Sequence, residues 1–363
     1  MKLIITNSKG SFDATELVTA VRWSGDYRQC ARTLSLGLLS SELFDVVDCA
    51  PGAGVAMQEG GKTIFTGFVF DRTKSTASQV IDLTCFDHGF YLNRNQTAKK
   101  YVGMTPEAAA AALASEFGLA VGALAPTGVP VSRNFPASAR GAPTLYEIIM
   151  TLYTEAAKTT GKAYFVSFSG GVLNVLEKGS VGRILVIEGG SNLIDATVTE
   201  SAQGVVNRVA VYDKNDNPLY IKSDEASAAL YGVLQTAIKQ ADGKDAASTV
   251  AELLKKAEPE QKITVNNLGD ISCVTGGAVM LHEPYTNLYG KFYIDSDLHQ
   301  WKNGVYTNKL TLNLVAVMDE KSAGQEIEAS GGSGASGASS KEQQYIKNLE
   351  ENTKYPPTGG GEE

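Results

Sequence analysis

Residues 290–315 read GKFYIDSDLHQWKNGVYTNKLTLNLV. Asn303-Gly304 lies between two strand-like runs, 291–301 and 305–315. A two-residue Asn-Gly link is a strong hairpin signal, because both residues tolerate the positive φ that the turn demands. In the second run Leu310, Leu312 and Leu314 fall on one face and Thr311 and Asn313 on the other, the period of a half-buried strand. In the first run Asp295, Asp297 and His299 stand two residues apart and share a face; Phe292, Ile294 and Leu298 take the other, with the alternation breaking between Ile294 and Leu298. Asp, Asp and His are residue types that hold a hydrated divalent cation or exchange protons. The simpler expectation is that they form the solvated face of the strand.

Outward from this hairpin, the two-residue period recurs at the far end of the chain. Leu34, Leu36 and Leu38 alternate with Thr33, Ser35 and Gly37, Glu59-Gly60-Gly61-Lys62 turns between 54–58 and 63–70, and 80–86 alternates again. Short strands at this spacing over residues 1–97 predict a small barrel or sandwich. Near residue 98 the pattern changes. Thr105-Pro106-Glu107 marks a helix start, with a capping Thr, Pro at the first helical position and an acid at the positive end of the dipole, and Gly118 stops the helix. Thr144-Leu145-Tyr146-Glu147 is a capping-box arrangement. The helix it opens carries an apolar stripe of Leu145, Ile148, Ile149, Leu152, Tyr153 and Ala156, and Gly161 ends it. Gly170-Gly171 then joins 163–168 to 172–176 as a hairpin, so residues 98–182 are expected to form a small α/β domain.

Strands return from about residue 183. Residues 205–212 and 219–222 flank a loop of turn formers at 213–218, and two helices are expected over 223–241 and 245–257. Residues 183–320 are therefore expected as a second β-domain with a helical insertion at about 223–257. Beyond it the composition collapses to Gly, Ser, Ala and Glu: 330–340 (SGGSGASGASS) is a flexible linker, 341–352 a weak charged helix and 355–363 a disordered end. Residues 325–363 hold seven acids against three lysines and supply half of the net charge of −8.

That charge argues against a nucleic-acid groove or attraction to anionic lipid, and no basic cluster is longer than Lys99-Lys100. The 363 residues, 43% hydrophobic, suffice for two or three domains, and 37 glycines suit strands joined by tight turns. Cys30, Cys49, Cys85 and Cys273 are far apart and lack the clustered spacing of zinc ligands, so buried free thiols are expected. The apolar run at 3–5 is too short for a secretory signal, and no run reaches the roughly 20 residues of a membrane span. A soluble, cytoplasmically made protein is expected. Gly61-Lys62-Thr63 imitates the end of a phosphate loop, but Ala56 stands where its first Gly belongs and a strand follows instead of a helix. The remaining histidine sites are Asp87-His88 and His282-Glu283. Neither a Gly-x-Ser-x-Gly elbow in a foldable context nor an HExxH motif occurs. No catalytic, cofactor-binding or metal-binding residue is assigned.

Several stretches in succession carry a family resemblance: 63–69 (TIFTGFV), 84–92 (TCFDHGFYL), 205–212 (VVNRVAVY), 230–235 (LYGVLQ) and 290–304 leading into the last hairpin. In this order the chain, over about residues 1–318, resembles the baseplate hub proteins of contractile-tailed phages and of defective prophages of Gram-positive bacteria. The wider group includes the T-even hub, the late-control D proteins and the N-terminal part of type VI secretion spikes. The Gly/Ser tail departs from that pattern. The resemblance implies an α+β, mainly β fold. Two tail-tube-like β-barrel domains, 1–97 and 183–320, would flank the small α/β domain of 98–182, with a disordered C-terminal tail over 321–363. It further implies a homotrimer that forms a pseudo-sixfold ring between the tail tube protein and the central spike. The tape-measure protein, a LysM-type tail protein and baseplate wedge proteins would be partners, in a virion or bacteriocin-like particle. Two alternatives come from other classes. A tail-associated peptidoglycan hydrolase needs a cleft with convergent acids or histidines. A carbohydrate-binding tail module needs exposed aromatics, for which Trp23 and Trp301 are the candidates; both are expected instead as core or interface anchors.

Overall fold

The Asn303-Gly304 link is a tight turn, with φ of 53° and 75°. It joins Leu288–Lys302 to Val305–Asn313 as an antiparallel hairpin, in a computed structural model that describes residues 1–40, 48–240 and 246–327. Leu310 and Leu312 are buried as their alternation requires, but Leu314 is 57% exposed, because the strand ends at Asn313 and the side chain no longer faces the sheet's core. The expected linker 330–340, the charged helix 341–352 and the terminal 355–363 lie outside the described residues. Residues 1–325 form one unit; of the second, 326–363, only Glu326 and Ile327 are described.

Leu288–Lys302 organises the molecule. Along one edge it pairs with Val305–Asn313. Along the other its halves have different partners: 288–293 pairs with Gly277–Glu283, and 296–301 with Val18–Asp26. Through this strand the two β-rich ends of the chain become one hydrogen-bonded sheet of thirteen strands among the described residues. On the N-terminal side the order continues from Val18–Asp26 through Thr33–Leu39, Ser78–Asp87, Lys62–Ser75, Gly54–Glu59 and Lys2–Asn7 to Gly10–Asp13. On the C-terminal side Val305–Asn313 leads to Glu260–Leu268 and Leu193–Ser201, and Gly277–Glu283 pairs in parallel with Val181–Glu188. The architecture is mainly β.

The sheet nevertheless covers two separate apolar cores. Leu3, Ile5, Val21, Leu34, Leu36 and Leu83 fill the first; Ile187, Ile263, Val265, Phe292, Ile294 and Leu310 fill the second. A third core lies among the helices of the middle region. There Leu145–Thr160 starts with the expected capping box: Thr144 Oγ1 accepts from the Glu147 N–H, and the Glu147 carboxylate accepts from the Thr144 N–H. It ends at Gly161 in the left-handed conformation. The stripe is buried, and so is the opposite flank, because residues 319–323 cross it: the Lys321 and Ala323 N–H groups donate to Thr154 Oγ1 and Thr151 Oγ1, each at 3.1 Å. Pro106–Glu116 starts differently from expectation. Thr105 is extended but makes no capping bond with its side chain, while Glu107 accepts from Thr127 Oγ1 at 2.9 Å.

The largest correction concerns residues 202–259. The helix expected over 223–241 is a short one, Glu225–Tyr231, followed by a strand, Gln235–Lys239. Gly232, at φ 78°, breaks the helix, and Thr236 and Ile238 are β-branched residues suited to the strand that pairs in parallel with Arg208–Tyr212. With Pro218–Ser223 these form a three-stranded sheet of their own. Its small core is Val209, Val211, Ala246 and Val250, the last from the helix Ala247–Leu254, which lies within the second expected helix. The insertion leaves the large sheet after Ser201 and returns at Glu260, two residues that face each other in the ladder. It is therefore a sheet-bearing module, wider than the helical stretch about 223–257 expected from the sequence.

Candidate functional site

Asp295, Asp297 and His299 do not form a solvated face; all three are buried. The cause is local. In the ladder Ile294 faces Leu312 and Ser296 faces Thr311, so Asp295 is an extra residue, a β-bulge. A bulge shifts the alternation by one position. Phe292 and Ile294 point into the core before it, and Asp297 and His299 point the same way after it. The break in alternation visible in the sequence is this bulge.

Three regions converge on the bulged segment. From the N-terminal sheet comes Arg32, whose guanidinium grips both oxygens of Asp297 through Nη1 and Nη2 and lies 3.9 Å from the ring centre of the buried Trp23. From the middle region comes Lys178, whose side chain is fully buried, with Nζ on Asp295 and 4.4 Å from the Tyr27 ring centre. From the C-terminal region comes Thr275, which donates its backbone N–H and its hydroxyl to Asp297 Oδ1, both at 2.6 Å. Next to it Gly276 adopts φ +85°, and a Cβ there would lie 2.0 Å from the Phe165 ring. No side chain fits at that contact between the regions.

His299 closes the network. Asn308 Oδ1 accepts from the Asp270 N–H at 2.6 Å and from Asn267 Nδ2 at 3.3 Å, so the Asn308 amide nitrogen is the group directed at His299 Nδ1, 2.7 Å away. The Tyr306 hydroxyl is also 2.7 Å from Nδ1. With donors at Nδ1, the proton sits on Nε2, between the Cys273 carbonyl at 3.1 Å and Asp297 Oδ2 at 3.2 Å. Burial works against the charge on Asp297, but the Arg32 guanidinium and the hydrogen bonds from its neighbours overcome that and hold its carboxyl well below the usual range. Burial lowers Lys178 in opposition to its Asp295 partner. Every oxygen of Asp297 is committed to donors of the chain itself. Chemically the arrangement is a polar clamp, which fixes the register in which the regions meet. Sequence reasoning singled out Asp295, Asp297 and His299, but missed Arg32, Lys178, Thr275 and Asn308. Arg32 is a lone cation directly before an alternating strand, and that was the one available signal.

The other residues singled out lie elsewhere. Gly60 and Gly61, at φ 55° and 78°, turn the hairpin that precedes Lys62–Ser75, so the phosphate-loop imitation is a β-turn. Asp87 is buried and accepts from the Gly89 N–H at 2.9 Å; desolvation pushes its carboxyl up to about 7. His88 lies 6.4 Å from Phe168 and is lowered by burial. His282 is exposed, 4.0 Å from Glu188, and Glu283 accepts from the N–H groups of Tyr285 and Thr286. Trp301 stacks on Tyr306 with ring centres 4.2 Å apart. The four cysteines are buried and unbridged, and desolvation pushes Cys85 and Cys273 up to about 12. Among the described residues no group of three potential ligands could hold a metal ion, and no helix is long and apolar enough to cross a membrane.

Two proteins of Bacillus subtilis (strain 168) are similar to this chain. The uncharacterized protein YqbQ is 23% identical over 311 residues, covering 83% of this chain and 93% of YqbQ. The phage-like element PBSX protein XkdQ is 25% identical over 273 residues, covering 73% and 81%. Among solved structures, the 43 kDa tail protein of prophage MuSo2 from Shewanella oneidensis superposes with a TM-score of 0.66 at 11% identity, over 86% of this chain and 98% of that one. A tail protein from Neisseria meningitidis MC58 gives 0.61 at 14% identity, over 88% and 99%. At such identities the likeness is one of fold. The model of the YqbQ-like family matches residues 21–313, a span that holds the bulged strand and all of its clamping partners. The chain belongs to the YqbQ-like family.

Proposed function

We propose that this chain is a structural subunit of a phage tail or phage-tail-like particle, and more specifically its baseplate hub. The observation that carries this is the joining of two β-regions, each with its own core, into one sheet by the single strand Leu288–Lys302. It is supported by the fold shared over most of the chain with prophage tail proteins and by the similarity to a protein of a phage-like element. In this reading residues 1–97 and 183–320 are two tube-like domains, 98–182 is the α/β domain between them, and three copies form a pseudo-sixfold ring. The ring joins the tail tube to the central spike. The tape-measure protein, a LysM-type protein and the wedge are its neighbours, and the site of action is the particle's baseplate.

A closed threefold ring needs heterologous contacts, one face of a subunit against a different face of the next. Relative rotation of the two tube-like domains within a subunit would spoil that closure, and the Arg32–Asp297 and Lys178–Asp295 pairs oppose it at the junction. The role is structural, and the polar cluster positions domains. Light scattering on the purified full chain and symmetry-resolved imaging of particles containing it test the proposal. Three copies in a ring at the baseplate are expected. A chain that stays a single copy within assembled particles, or that lyses cell-wall material in a zymogram, overturns it.

A further inference from the structure

The clamp's long cations, Arg32 and Lys178, differ in what they can do. Arg32 meets Asp297 with a guanidinium, which keeps its proton and is no nucleophile. Lys178 meets Asp295 with a primary amine, and its surroundings favour the uncharged form of that amine. The Lys178 side chain is fully buried, with Nζ on Asp295 Oδ1 and 4.4 Å from the Tyr27 ring centre. Desolvation lowers the amine's affinity for its proton, and a desolvated lysine is a nucleophile. The carboxyl group is held as firmly. Its second oxygen, Oδ2, accepts from Asn313 Nδ2 at 3.3 Å. Its backbone is fixed too: Asp295 is the bulge residue, and its carbonyl accepts from the Tyr27 N–H at 2.9 Å. A primary amine thus rests against a carboxyl group whose other oxygen already has a donor, and water is largely excluded from both.

We propose that Lys178 and Asp295 are a self-modification site, at which Nζ and Asp295 Cγ join in an amide bond with the loss of one water. The atoms balance within the pair. The ammonium passes one proton to Oδ1, which leaves a neutral amine beside a carboxylic acid. The Nζ lone pair attacks Cγ, and negative charge gathers on Oδ2, where the Asn313 amide donates. Nζ then gives a second proton to Oδ1. The Cγ–Oδ1 bond breaks, its electron pair goes to oxygen, and Oδ1 departs as water. Nζ keeps its last proton, and Oδ2 remains as the amide carbonyl. No co-reactant is needed. Two desolvated charges are replaced by a neutral amide, which relieves the desolvation cost of the buried pair. The bond ties the middle region to the C-terminal region across 117 positions of the sequence. It lies within one copy of the chain, so it goes beyond the hub proposal and stands without it.

The test is the intact mass of the full, unaltered chain, folded, purified and then denatured for spectrometry. A mass one water below that of the sequence is expected. A protease digest is expected to give one branched peptide that joins the fragment carrying Lys178 to the fragment carrying Asp295. Lys178→Arg keeps a cation opposite Asp295 but has no nucleophilic amine, so that variant should have the full mass of its sequence and give the two fragments separately. The decisive measurement is made on the unaltered chain and does not depend on how well the variant folds. An unaltered chain at the full sequence mass, a lost water that maps elsewhere, such as to a succinimide at another aspartate, or a lost water that persists in Lys178→Arg overturns the proposal.

Discussion

The strand Leu288–Lys302 is two strands in one, divided by the bulge at Asp295. Before the bulge its inward residues are Phe292 and Ile294, packed in the second apolar core; after it they are Asp297 and His299, held by hydrogen bonds and an ion pair. Both halves are buried, but they do different work. Apolar contacts stabilise without direction, whereas the clamp is satisfied in one relative placement of Arg32, Thr275 and Asn308. The polar half thus contributes register where regions meet, at the expense of desolvated charge.

The comparison is broken most severely by Asp297→Ala, which leaves the Arg32 guanidinium buried without its partner. A loss of about 3–5 kcal/mol is expected in chemical denaturation. The double change Arg32→Met with Asp297→Leu removes both charges, and a large part of that loss should return, because the stranded cation goes with the acid. In the apolar half Ile294→Val should cost about 0.5–1.5 kcal/mol. If Asp297→Ala costs no more than Ile294→Val, the clamp does not hold the regions in register.

Acidity separates two buried carboxylates that both feel the charge of Arg32. Burial pushes the Asp87 carboxyl of the folded chain up to about 7, well above the ordinary aspartate range, so the folded chain keeps that proton longer than the unfolded one. Its contribution to stability is full below pH ~4 and is lost as the pH rises through about 7, by up to about 4 kcal/mol. Asp297 is depressed, so its contribution is present above pH ~4 and is lost as the pH falls below that value. Denaturation midpoints taken between pH 4 and pH 8 should decline, and Asp87→Asn, which keeps an acceptor for the Gly89 N–H, should flatten that decline. An unchanged slope in Asp87→Asn assigns the pH dependence to other groups.

Two helix starts sharpen the contrast between bonds made and bonds only suggested by residue type. Thr144→Ala removes the cap that accepts from the Glu147 N–H, and about 1 kcal/mol should be lost. Thr105→Ala removes a side chain that makes no capping bond, so its effect should be within a few tenths of that unit.

Those caps also mark the limit of what the sequence discloses. Local patterns were legible: the Asn303-Gly304 hairpin, the Leu34 to Leu38 alternation, the Thr144 box and the Gly161 stop all lie where residue spacing puts them. The break in alternation near Asp295 was visible, but its meaning was not. A bulge and a solvated face give the same string of residues until the partner strand is known. Arg32 and Asp297 are 265 positions apart, and no local rule links them. In the insertion, the run 228–234 (AALYGVL) has good helix formers, and a pairing with Arg208–Tyr212, set by tertiary context, decided that the chain after Gly232 is a strand.

The insertion is the region least tied to the clamp, and only a small effect is expected from removing it. Ser201 and Glu260 face each other in the ladder between Leu193–Ser201 and Glu260–Leu268, so the large sheet already has the geometry of a hairpin at the point where the module departs. The module buries its own core of Val209, Val211, Ala246 and Val250, and its exposed Leu219, Ile221, Leu230 and Val233 contribute nothing to the second core of the large sheet. Replacing residues 202–259 by Asn-Gly should therefore close the ladder with a two-residue turn. The melting temperature of the remainder should move by only a few degrees, corresponding to about 1 kcal/mol or less, and amide protection along Glu260–Leu268 should persist in hydrogen exchange. A drop comparable to that of Asp297→Ala, or loss of protection in that strand, means that the insertion is a pillar of the sheet, and the division between clamped body and appended module fails.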